Sequence, residues 1–111
     1  MIEKTVLDYL NGKLPVKAYM EVPKTPPKEY VVIEKTGSGQ ENHIFSAIFV
    51  VQSVSDSLLH AAELNEAVKV AMEQSVELDE ICRAELNSDY NYTDTTKKEY
   101  RYQAVYDVTH Y

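Results

Sequence analysis

The chain has 111 residues, enough for one domain with its own core and too few for two. Its formal net charge of −7, from 18 acidic against 11 basic side chains, argues against a phosphate-gripping surface, which needs clustered Lys and Arg. A single cysteine excludes an internal disulfide framework.

In chain order, Ile2 to Leu10 places Ile2, Val6, Leu7, Tyr9 and Leu10 on one broad helical face, with Asn11-Gly12 as the expected stop. After Pro15, the run VKAYMEV alternates Val16, Ala18, Met20 and Val22 with polar or larger neighbours, the pattern of a half-buried strand. PKTPPKE reads as an exposed connection, because its prolines lack donors and hold the residues before them extended. The strand EYVVIEKT follows, and Gly37-Ser38-Gly39-Gln40 is expected to be the turn of a hairpin.

From Glu41 the run ENHIFSAIFVVQSV puts Ile44, Ser46, Ile48 and Val50 on one side of a pleat and Phe45, Ala47, Phe49 and Val51 on the other. Both sides are largely apolar, which predicts a central strand. It passes directly into a helix in which Ala61, Leu64, Val68, Ala71 and Met72 form one stripe, with Ser55 or Asp56 as the expected cap. Glu77 to Asn87 predicts a further strand whose imperfect alternation calls for a bulge near Cys82. Cys82 is expected to be a buried structural thiol in a reducing compartment. Ser88 to Lys98 predicts an exposed loop or hairpin tip, and EYRYQAVYDVTHY a two-sided last strand with Tyr100, Tyr102, Ala104, Tyr106 and Val108 on one face. The fold class is therefore α+β: a single domain of order α-β-β-β-α-β-β, with a mixed or antiparallel sheet and both helices on one face.

No pattern for catalysis emerges. His43, His60 and His110 lie in three different elements and share no ligand spacing with each other or with Cys82, so neither a metal site nor a cofactor is expected. The pairs Glu63/Glu66 and Asp79/Glu80 read as solvated faces, and TGSGQ precedes a strand, so it lacks the helix N-terminus of a phosphate cradle. MIEKTVLDYL has no signal-peptide character and no apolar run reaches membrane-spanning length, which predicts a cytosolic protein without membrane contact. Nine tyrosines with no tryptophan suit a surface half buried against a partner, and equally suit a sheet.

The N-terminal helix, the Pro-rich EVPKTPPKEYVVIEKTG, the strand-to-helix passage QSVSDSLLHAAELNEAV and the terminal YRYQAVYDVTHY together resemble the tail-terminator (tail-completion) proteins of long-tailed phages and prophages. The resemblance implies a non-enzymatic subunit that forms a ring, usually six-fold, on the end of the tail tube. There it stops tube growth and offers a surface to the head-tail connector protein. It also implies a virion-tail location after assembly in the host bacterial cytoplasm. Because rings that closed without their tube would waste subunits, a monomer or weak oligomer is expected in dilute solution. An acidic surplus suits a channel that passes DNA without gripping it. Partner contacts are expected on the two irregular segments, at Ser38, Gln40 and Asn42 and at Tyr90, Tyr92 and Asp94. Tyr90 and Tyr92 have a second reading, in which they fold back over the sheet edge. The alternative functions are a regulatory protein that pairs through its strand edges and a small ligand-binding α+β domain.

Overall fold

A computed structural model describes residues 1–97 and 99–111. The elements are α1 (Ile2–Lys13), β1 (Ala18–Tyr19), β2 (Tyr30–Glu41), β3 (Ile44–Ser55), α2 (Leu58–Glu73), β4 (Ile81–Asn91) and β5 (Tyr100–His110), with one 3-10 turn, Gln74–Glu77, after α2. The sheet order is β1-β2-β3-β5-β4, antiparallel throughout except for the parallel pair β1/β2. The expected α+β order is present, and β3 is central.

The inner face of the sheet carries the core. Val31 and Ile33 of β2, Ala47, Phe49 and Val51 of β3, and Ala104, Tyr106 and Val108 of β5 are buried in one cluster with the α2 stripe and with Val6, Tyr9 and Leu10 of α1. Every predicted stripe residue of α2 is buried, and Leu64, Val68, Ala71 and Met72 belong to this cluster. Two hydroxyls tie the layers together: Tyr9 Oη donates to the Ala71 carbonyl at 2.7 Å, and Tyr106 Oη to that of Lys69 at 3.4 Å. Burial pushes the pKa of both phenols up, so both remain protonated donors. Lys35 of β2 reaches Glu3 of α1 at 3.3 Å, which fastens the first helix to the same face.

Five sequence expectations change. Helix α1 runs through Asn11-Gly12 to Lys13, because Asn11 turns its side chain outward instead of ending the helix. Its Oδ1 accepts from Ala18 N at 2.8 Å and its Nδ2 donates to Ala18 O at 3.2 Å, so Asn11 braces the first residue of β1. That strand is only two residues long, and Met20 and Val22 of the expected run are exposed. The β2–β3 turn is Asn42-His43, at φ 51° and 67°, the positive φ at both central positions that a type I′ hairpin needs. Gly37 and Gly39 lie inside β2, with a bulge between Lys35 and Gly37; a Cβ on Gly39 would stand 3.0 Å from Ser46 Oγ across the ladder. The helix cap is Ser57, whose Oγ accepts from His60 N at 3.1 Å, and neither Ser55 nor Asp56. The last change concerns Cys82. Its bulge is present between Ile81 and Arg83, but a bulged residue is left out of the pairing, and the thiol is exposed instead of buried.

Val68 is fully out of water while Val70, two positions on, faces solvent. Val68→Asp is expected to lower the unfolding free energy by about 3 kcal/mol or more, since the carboxylate would be buried without a partner. Val70→Asp should stay within about 0.5 kcal/mol of the parent. Urea denaturation of the two variants measures both; equal effects would mean that α2 is not seated on this face.

Candidate interaction surface

Both helices cover one face of the sheet and none covers the other. Along β3 the outward residues are Ile44, Ser46, Ile48, Val50 and Gln52; Val105 of β5 and Glu34 of β2 lie opposite Val50, and Asp107 lies opposite Ile48. Ile44 and Ile48 are 44% and 40% exposed, an open apolar row at the middle of a sheet. Large aliphatic side chains repeated along one strand in water cost solvation free energy that only a second surface recovers. One corner of this face is covered from within the chain, where Tyr19 packs edge-on against Tyr30 at 6.2 Å and shields Val54.

Polar groups border the row. Arg101 Nη1 donates to Gln52 Oε1 at 3.2 Å, Gln52 Nε2 donates to Gln103 Oε1 at 2.8 Å, and Gln103 Nε2 donates to Tyr90 Oη. This chain of side chains crosses β3, β5 and β4, so the two central amides, Gln52 and Gln103, are held in fixed orientations. Arg101 also pairs with Glu99. Toward the other end Glu85 stands opposite Asp107, which accepts from Asn87 Nδ2 at 3.2 Å, while Arg83 pairs with Glu85. The outcome is an apolar strip between an amide ladder and a set of acids, the composition of a contact surface with a polar rim.

The six expected contact residues fall into two groups at opposite ends of a molecule 45 Å long. Ser38 and Gln40 are on β2 and Asn42 is at the hairpin tip; all three are exposed and flank Phe45, which stacks on His110 at 5.5 Å. Tyr90 belongs to β4, because that strand runs on to Asn91 and absorbs the start of the expected Ser88–Lys98 loop, whose final residue lies outside the described residues. Tyr90 and Tyr92 are 42% and 51% exposed and meet edge-on at 6.1 Å. Asp94 is occupied locally. Its Oδ1 accepts from Thr96 Oγ1 at 2.7 Å, Thr96 N at 3.0 Å and Lys97 N at 3.3 Å, and these bonds, led by the one from Thr96 Oγ1, hold its carboxyl below the usual range. Asp94 thus builds the β4–β5 connection through its Oδ1.

Sequence reasoning missed the open row itself. The alternation of β3 and β5 was legible, but which face the helices take is decided by packing. It also missed a convergence at the start of α2, where Asp56 and His60 meet Glu29 from the Pro-rich connection. Of these three, only the i, i+4 spacing of Asp56 and His60 is visible in the sequence. Among the described residues no helix is long and apolar enough to cross a membrane.

Compared with known proteins, the chain matches no family model and no curated relative.

The tyrosine pair tests whether the β4 end is contact surface or structural cover. Replacing Tyr90 and Tyr92 together with Ala is expected to leave the far-UV circular dichroism unchanged and to cost about 1 kcal/mol, the worth of one exposed aromatic pair. Loss of folding would assign the pair to closing the sheet edge.

Proposed function

We propose that this chain is a structural ring subunit of the tail-terminator type, which assembles on the end of a phage tail tube, ends its growth and presents a surface to the head-tail connector. The observation that carries the reading is the bare sheet face with its Ile44–Ile48–Val50 row, a contact surface on a small acidic domain. A ring needs two different patches on each copy, meeting head to tail. The bare face supplies one, and the ends of the molecule, at Asn42 and at Tyr90/Tyr92, supply material for a second. The sequence resemblance narrows association in general to this one geometry. Acidic outward groups on Glu34, Glu85 and Asp107 suit a ring that meets DNA without holding it.

The edges of the sheet speak against the strand-pairing alternative. β1 covers only Val31 and Val32, the edge that β2 leaves open beyond them is broken by the bulge between Lys35 and Gly37, and β4 carries bulges at Cys82 and at Asn87 that break its register. Short or bulged edges are how sheets avoid adding a foreign strand.

Assembly follows mass action, so a monomer or weak oligomer is expected in dilute solution and the ring at high concentration or on the tube end. Ile48→Glu should keep the fold, because the side chain already meets water, and should abolish assembly in sedimentation with tail-tube protein. Deleting the gene from an inducible phage that carries it is expected to give tails of uncontrolled length or tails that fail to join heads. Normal tails on infectious particles would overturn the assignment.

A further inference from the structure

We propose that Glu29, Asp56 and His60 form a binding site for a divalent first-row transition-metal ion, independent of the ring reading and on the helix-bearing side of the molecule. The three donor atoms, two carboxylate oxygens and the Nδ1 of His60, all lie within 4.8 Å of one another. His60 Nδ1 stands 3.4 Å from Asp56 Oδ1 and 3.8 Å from Glu29 Oε1. Two ligands of a tetrahedral ion with bonds of about 2.1 Å stand about 3.4 Å apart, so these separations already approach those of a coordinated set. They are long for direct hydrogen bonds, which close to about 2.9 Å.

The donors are held from outside the cluster. Ser55, 95% buried at the end of β3, directs its hydroxyl toward both carboxylates, 2.9 Å from Glu29 Oε1 and 3.2 Å from Asp56 Oδ1. A hydrogen bond to a ligating carboxylate is a usual device for orienting it. His60 sits in the first turn of α2, fixed by the Ser57 cap that its own N–H completes. A cavity of about 230 Å³ opens beside Glu29 and His60, lined also by Glu63 and Leu64, and gives an ion room for water in its remaining positions. An imidazole with two carboxylates favours Zn²⁺ or Mn²⁺ over Mg²⁺, which prefers an all-oxygen shell.

Calorimetric titration of the full chain with ZnCl₂, MnCl₂ and MgCl₂ at neutral pH tests this, in a Cys82→Ser background that removes the exposed thiol as a competing ligand. One Zn²⁺ or Mn²⁺ per chain is expected, with Mg²⁺ at least about tenfold weaker. His60→Ala and Glu29→Gln should each weaken Zn²⁺ binding at least about tenfold with unchanged circular dichroism, since both residues are partly exposed. Mn²⁺ should broaden the ring signals of His60 before those of His43 and His110. Binding equal in parent and variants, equal affinity for Mg²⁺, or no binding at about 1 mM metal would overturn the site and leave only the side-chain contacts among His60, Asp56 and Glu29. None of these outcomes bears on ring assembly, which Ile48→Glu reads separately.

Discussion

Val68 and Met72 of α2 share one water-free core with Phe49 and Val51 of β3 and Tyr106 of β5, and the rest of the molecule is arranged around that contact. A helix with a single stripe can cover only one face of a sheet. Once α2 takes the inner face of β3 and β5, the outer residues of the same strands have no internal partner. α1 adds Val6, Tyr9 and Leu10 to the same side and leaves the asymmetry unchanged. The bare row at Ile44 and Ile48 is therefore a direct result of where the two helices sit.

Much of this was legible in the residues. Alternation in EYRYQAVYDVTHY placed Ala104, Tyr106 and Val108 together on one face, which is the core face, the three- and four-residue steps of α2 assigned its stripe, and the broken phase after Leu78 located the bulge at Cys82. What escaped was decided by side chains acting at a distance. Asn11 has the composition of a helix stop, yet it serves as a brace for Ala18, so the helix continues. Gly37 and Gly39 have the composition of a turn, yet both lie inside β2, where Gly39 clears space for Ser46 across the ladder, while Asn42-His43 makes the turn without glycine. Asn tolerates positive φ, so the signal was present and outvoted.

The candidate surfaces show the same division. Tyr90 and Asp94 were both singled out as polar-loop residues, and the structure separates them: Tyr90 is the last link of an amide ladder across the sheet, and Asp94 anchors its own turn through Oδ1. Glu29 drew no attention because its partners are 27 and 31 positions away. Only the return of β3 past the start of β2, with Tyr30 opposite Val54, carries Asp56 and His60 to it.

Strand order has a consequence for how the chain reaches this state. β5 lies between β3 and β4, so the inner wall formed by Ala47, Phe49 and Val51 stays open along one side until Tyr100–His110 docks. The β2–β3 hairpin can form early, since its strands are joined by a two-residue turn, but β4 has no neighbour to pair with before β5 arrives. Docking of β5 therefore completes the sheet, and its pairing with β3 joins the strands most distant in sequence of any neighbours in it.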